Sequence, residues 1–381
     1  MKKGRVRNFF PGNNTPLGFF SYYDHIAGPE ATRIIIIKGG PGVGKSSFMK
    51  EIAALLNQQG FDVELHHCSS DNNSLDGVVF PQIKVALIDG TSPHIVDPRN
   101  PGVVDEILHL GDYWNEAEMR QGRSGILTLN QEVGRWFARA YRYLKAAKII
   151  HEDIEAVYRE AVDWGQVNQI TAGLIDAIFE RRPISPKPGK IRRLFISAIT
   201  PDGFRNFLPG LTEMAPTIYA VEGAPGTGKA TLLAKMAGIA GELGIDCEAF
   251  CCAFDPSKIE HLLFSTLGVL ITTAVPPHRI DPDQASFVVN LNQCVDLAKT
   301  IPQNTALETA KSHVDNLLKQ GIAAIAQAKA AHDRMEEYYT PHMNFAAINE
   351  LRRRTAERIL QYAAGQLEQE TCNKREMAFQ V

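Results

Sequence analysis

Gly39-Gly40-Pro41-Gly42-Val43-Gly44-Lys45-Ser46 carries the spacing Gly-x-x-x-x-Gly-Lys-Ser of a complete Walker A sequence. Glycines at this density let a backbone curl until successive N–H groups point at one phosphate, beside a helix N-terminus that favours anions. On this reading Gly39, Gly40, Pro41, Gly42, Val43 and Gly44 form the cradle. Lys45 reaches the β- and γ-phosphates, the Ser46 hydroxyl binds Mg²⁺, and Ser47 lies near the α-phosphate.

The flanks give the motif its context. Arg33-Ile34-Ile35-Ile36-Ile37-Lys38 is an apolar run bounded by glycine on its far side, as a buried parallel strand should be. Ser46 to Gln59 has helical spacing, with Phe48, Ile52 and Leu55 on one face and Gly60 as its stop. Asp62 to His67 and Ile83 to Ile88 supply further strands. Val85-Ala86-Leu87-Ile88-Asp89 looks like Walker B, an apolar strand whose terminal aspartate holds the Mg²⁺ hydration shell. Lys45 and Asp89 are the candidate catalytic residues; Ser46 and Asp89 are the candidate metal contacts, Asp89 through water. Gly90 stands where many ATPases place a water-activating glutamate, so fast hydrolysis is not expected.

The motif occurs twice. A shift of 184 positions lays Gly39–Lys45 over Gly223-Ala224-Pro225-Gly226-Thr227-Gly228-Lys229. From residue 39 to 98 the shift gives 17 identities in 60 positions, against about 4 for unrelated sequences of average composition. Upstream, Thr15-Pro16-Leu17-Gly18-Phe19 matches Thr200-Pro201-Asp202-Gly203-Phe204; downstream, Ala147-Lys148 and His151 match Ala328-Lys329 and His332 at a shift of 181. The chain is therefore a duplication. The expected organisation is an N-terminal domain over 1–182 with a helical region over about 103–182, a proline-rich linker over 183–193, and a C-terminal domain over 194–381 with a helical region over about 285–381. The first helical region shows no obvious strand, and its longest helix runs from about Leu127 to Glu160. The fold class expected is α/β: tandem P-loop cores, each a parallel sheet with flanking helices and a helical addition.

The second copy is degenerate. Gly223, Gly226, Gly228, Lys229 and Thr231 remain, but Ala230 replaces Ser46 and Thr273 replaces Asp89. Both metal contacts disappear together, so the first half is the better equipped for Mg-ATP. Arg135, Arg139 and Arg142 recur at i, i+4 and i+7 and lack counterparts in the second half. They are either a solvated stripe or a reach across the γ-phosphate. Asp71, His94 and Asp97 persist as Asp255, His278 and Asp281. Because they survive in the half that lost its metal contacts, a loop-fixing role is favoured over catalysis.

Composition narrows the class. The 381 residues are 44% apolar and 22% charged with net charge −3, a globular balance with no footprint for nonspecific nucleic-acid binding. Lys2, Lys3, Arg5 and Arg7, and Lys190, Arg192 and Arg193, read as solvated basic ends. No apolar run reaches the roughly 18 residues of a membrane span, and the basic N-terminus lacks the apolar stretch of a signal peptide. The six cysteines form no CxxC pair and no zinc pattern with nearby histidines. A cytoplasmic protein with reduced thiols is expected.

Taken with His67-Cys68-Ser69-Ser70-Asp71, Ile88-Asp89-Gly90-Thr91-Ser92-Pro93-His94 and Arg139-Ala140-Tyr141-Arg142-Tyr143-Leu144, the glycine motif resembles a bacterial family of duplicated P-loop proteins. That family carries labels such as ATPase, ATP-binding protein or nucleotide-kinase-like. The resemblance covers essentially the whole chain and implies ATP binding over Gly39–Ser47. ATP and Mg²⁺ are the expected cofactors, the more so because no guanine-reading Asn-Lys-x-Asp segment is present. An ATPase or nucleotide-driven switch, in which the two halves pack on each other, is expected first. The other readings are a kinase acting on a small-molecule acceptor and a non-catalytic nucleotide-binding module with a protein partner.

Overall fold

The structure, a computed structural model, describes residues 2–180 and 184–378. Its strands in chain order are β1 (Val6–Phe9), β2 (Gly12–Thr15), β3 (Gly18–Ser21), β4 (Arg33–Lys38), β5 (Val63–His67), β6 (Leu75–Phe80), β7 (Val85–Asp89) and β8 (Asp105–His109). The second half repeats them as β9 (Ile191–Leu194), β10 (Ser197–Thr200), β11 (Gly203–Asn206), β12 (Thr217–Glu222), β13 (Cys247–Cys251), β14 (Ile259–Phe264), β15 (Val269–Thr273) and β16 (Phe287–Asn290). The longer helices are α1 (Lys45–Gln58), α2 (Arg123–Ala161), α3 (Trp164–Phe179), α4 (Lys229–Leu243), α5 (Asn304–Tyr339) and α6 (Phe345–Ala378).

The duplication is visible in the sheets. One six-stranded sheet runs β1-β5-β6-β7-β4-β8 and the other β9-β13-β14-β15-β12-β16, the same order in the same positions. Each is mixed: β4 lies parallel between β7 and β8, whereas β6 is antiparallel to both β5 and β7. The expectation of purely parallel sheets is corrected by β6 and β14. Their central placement is the reason both strands are buried along nearly their whole length.

Four local expectations also change. Asp105–His109 forms β8, so the first helical region does contain a strand; as an edge strand its charged Asp105 and Glu106 hid the alternation. Leu55 is 41% exposed, and Leu56 together with Met49 completes the buried face of α1. Of the linker expected over 183–193, Pro183 lies outside the described residues, and Ile191 onward belongs to β9. The basic side chains read as solvated ends are paired in part: Arg7 meets Glu64 at 3.1 Å and Arg192 meets Glu248 at 3.2 Å.

The chain divides into two compact units that interleave the sequence halves. One holds the chain up to Pro11, Tyr23–Gly134 and everything from Ala328; the other holds Gly12–Tyr22 and Arg135–Gln327. In the first unit the sheet and α1 share a core with Met343, Ile348, Ala356 and Ile359, residues of the second half. In the second unit α3, from the first half, lays Phe179 edge-on against Phe264 at 5.5 Å. The β2-β3 hairpin also belongs there, where the buried Asn13 amide bonds Ser197 O and its oxygen accepts from the Ile199 N–H. The two sequence halves therefore do pack on each other, each lending its helices to the other's sheet. Among the described residues no helix is long and apolar enough to cross a membrane.

Candidate functional site

The first glycine loop connects the end of β4 to the start of α1. Gly42 and Gly44 take φ of 66° and 89°, a region where a side chain would be strained, and this lets the loop close into the helix. Gly44 occupies the N-cap without a side-chain cap, so the first N–H groups of α1 keep no capping oxygen. Lys45 folds back, its Nζ donating to Gly39 O at 3.2 Å and Gly40 O at 2.8 Å, and lies 3.6 Å from Asp89 Oδ2. Asp89 ends β7, where its Oδ1 accepts from the Thr91 N–H and hydroxyl at 3.0 and 2.6 Å, leaving Oδ2 toward the lysine. Ser46 Oγ accepts from the Leu75 N–H at 3.0 Å, and Ser47 is exposed. Lys45, Ser46 and Asp89, picked from sequence alone, thus belong to one unit, with the lysine against the aspartate.

Asp71, His94 and Asp97, read from the sequence as loop-fixing, each have polar partners in the structure. His94 donates from Nδ1 to Asp89 O at 3.1 Å, keeps Nε2 3.6 Å from Asp76, and stacks on Tyr23 at 4.5 Å. Asp76 is fully buried, which raises its carboxyl above the usual range despite the nearby His94. Asp97 receives Lys38 Nζ at 2.9 Å, and the same amine caps Gly90 O and Val96 O. Asp71 lies 3.7 Å from Lys329. Arg135, Arg139 and Arg142 are all exposed, and Arg139 lies over the Trp136 ring at 5.6 Å.

The second loop has the same build between β12 and α4. Gly226 and Gly228 have φ of 82° and 97°, and Lys229 Nζ donates to Gly223 O at 2.6 Å and Ala224 O at 2.8 Å. With Thr273 in place of Asp89 no carboxylate ends the neighbouring strand; Thr231 is exposed. Burial pushes Lys229 down to about 8, against the pull of Glu155 and Glu260. A cavity of about 900 Å³ opens over this loop, lined among others by Lys148, Glu155, Lys229, Lys258 and His278.

The helices over each loop were not legible as such from the sequence. Lys258 bonds both oxygens of Glu155 on α2, at 2.5 and 2.7 Å, and Lys148 on α2 meets Asp255 at 2.9 Å. Burial opposes the Glu155 charge, but His151 and Lys258 outweigh it and hold the carboxyl at about 2. The first loop has the related arrangement from α5 and α6: Lys329 near Asp71, Glu336 and Thr340 against Gly42, Tyr339 beside Gly40 and Phe345 beside Gly44. Glu155 and Trp164 occupy the matching places at Gly226 and Gly228. The identities at a shift of 181 were the signal, since they align these very helices.

Lys229 sets a pH dependence with a definite sign. It titrates near 10.4 unfolded and at about 8 folded, so between those values the unfolded chain holds more protons and stability rises with pH. Lys229→Met is expected to be more stable than wild type at pH 7.5, by roughly 3 kcal/mol at most. That advantage should fade toward pH 10.5 in urea melts of the two proteins. A difference constant across the range would refute the buried charge.

Comparison with protein-family models, with curated proteins and with solved structures found no match.

Proposed function

We propose that the chain is an ATP-binding protein, a Mg-dependent ATPase or nucleotide-driven switch of the P-loop class, with its active site in the Gly39–Ser46 loop. The observation that carries the reading is Lys45, held between two loop carbonyls and Asp89 Oδ2 at the uncapped start of α1. N–H groups without a capping side chain at a helix start, beside an ammonium, match the charge of a polyphosphate. Lys45 would exchange its carbonyls for phosphate oxygens, and Gly39, Gly40, Pro41, Gly42, Val43 and Gly44 would supply backbone around them. Ser47 would lie farther along the helix.

Mg²⁺ suits the donor set in kind, since Ser46 and Asp89 offer a hydroxyl and a carboxylate, hard oxygens that this ion takes together with water. When bound, it would neutralise charge developing on the phosphates. The second loop keeps Lys229 but neither the serine hydroxyl nor the carboxylate, which supports weak, Mg²⁺-independent nucleotide binding there or a purely structural part. The resemblance to duplicated bacterial ATP-binding proteins and a cytoplasmic setting belong to the same proposal. Among the described residues five cysteines are free, as a reducing compartment would leave them.

Equilibrium binding of ATP and GTP to the full chain, with and without Mg²⁺, tests it, followed by assay for free phosphate. We expect ATP to bind more tightly with Mg²⁺, and Asp89→Asn to reduce that Mg²⁺ effect by about tenfold, the loss of one charged contact. Failure of ATP to bind under either condition would sink the proposal. Phosphate appearing on an added acceptor rather than free would make the protein a kinase.

A further inference from the structure

We infer that the second unit holds a divalent transition-metal site of the zinc type, built from Glu260, His261 and His278. One donor atom from each of the three lies within 4.8 Å of the others. His261 and His278 meet edge to face, with ring centroids 4.6 Å apart, and both are buried. His261 Nδ1 lies 2.6 Å from the Thr272 hydroxyl, whereas its Nε2 is buried without a hydrogen-bond partner. Glu260 Oε2 lies 3.0 Å from His278 Nε2, so an ion shared by the two would take the place of the proton between them. A buried ring nitrogen without a partner is rare in folded chains, and a cation held there would supply one.

The duplication serves as an internal control. The counterpart of His278 is His94, whose Nδ1 is satisfied by Asp89 O and whose ring stacks on Tyr23. The counterpart of His261 is Gly77, so the first unit cannot form the cluster. Two imidazoles and one carboxylate are the donor set of a zinc site with one position open. Glu260 and His278 line the cavity over the second loop, so an ion held by them would lie at its wall. Bonds of about 2.0–2.2 Å place tetrahedral donors roughly 3.4 Å apart, so the cluster should contract on loading. This half lost the oxygens suited to Mg²⁺ and carries nitrogens suited to a softer ion.

The full chain, stripped by dialysis against a chelator, should be titrated with Co²⁺ and with Zn²⁺. Co²⁺ should give the visible bands of a four-coordinate site at one equivalent, and Zn²⁺ should displace it. X-ray absorption of the loaded wild type should show two imidazoles and a carboxylate oxygen. In His261→Gly, which restores the residue of the first half, and in His261→Gln, affinity should fall by more than about 100-fold, the upper end for losing a mere supporting partner. Wild type that binds neither ion, or an absorption spectrum without imidazole ligands, overturns the site. So does equal affinity in variants whose thermal melts show them folded.

Discussion

Lys45→Ala is expected to weaken Mg-ATP binding by about 10- to 100-fold, because a charge-assisted hydrogen bond to phosphate contributes roughly 1.5–3 kcal/mol and each 1.4 kcal/mol is tenfold. Phosphate release, if the protein catalyses it, should fall further, since the lysine also meets charge that grows toward the transition state. Lys229→Ala should change Mg-ATP binding less than about twofold, the ordinary scatter of independent sites. The contrast rests on neighbours rather than on the lysines themselves. Both amines fold onto two loop carbonyls with nearly the same geometry. Only Lys45 has Asp89 Oδ2 at 3.6 Å and Ser46 beside it in sequence. Competition binding with the full chain decides the matter. Loss confined to Lys229→Ala would move the active site to the second unit.

The sequence told most where one interaction dominates. The run Ile34–Ile37 is buried because β4 has parallel neighbours on both sides, and a strand with no solvent face needs no alternation to be seen. The glycine loops were readable because φ near +66° to +97° at Gly42, Gly44, Gly226 and Gly228 excludes most other residues. β6 was not readable. Asp76 and Gly77 are poor strand formers, and Asp76 is tolerated only because His94 and Tyr23 lie against it in the finished fold. The exchange of helices was hidden for a different reason. An apolar stripe on α2 or α5 says that a partner exists but not which copy of a duplicated sheet supplies it, and both copies offer nearly the same surface. What does discriminate is a set of single contacts, such as Lys258 with Glu155, that pair residues more than a hundred positions apart.

Gly226→Ala is expected to destabilise the second unit by roughly 2–5 kcal/mol, from about 1–2 for a left-handed alanine plus 1–3 for overpacking. A Cβ at this position would stand 2.2 Å from Glu155 O and 3.0 Å from the Glu155 Cα, where φ is 82°. Those atoms are backbone of α2, which cannot yield without shifting the helix. At Gly42 the nearest atom is Thr340 Oγ1 at 2.8 Å, a side-chain tip whose shift would cost its hydrogen bond to Glu336 O, followed by Glu336 Cβ at 3.1 Å and Glu336 O at 3.2 Å. Gly42→Ala should therefore stay near the lower end, about 1–3 kcal/mol. In thermal melts of the full chain the two variants should differ by about 2–4 °C for each kcal/mol between them. Equal melting points would mean that backbone conformation alone sets the penalty and that the close approach of α2 is immaterial. The expected inequality bears on how such loops are read. Gly226 persists in the copy that carries Ala230 and Thr273, where ligand phosphate is a weaker reason for a glycine. Contact with the exchanged helix is then sufficient to require it. A glycine pattern in a duplicated chain therefore reports close backbone approach first, and the proposed chemistry rests on the neighbouring lysine, hydroxyl and carboxylate of Lys45, Ser46 and Asp89 together.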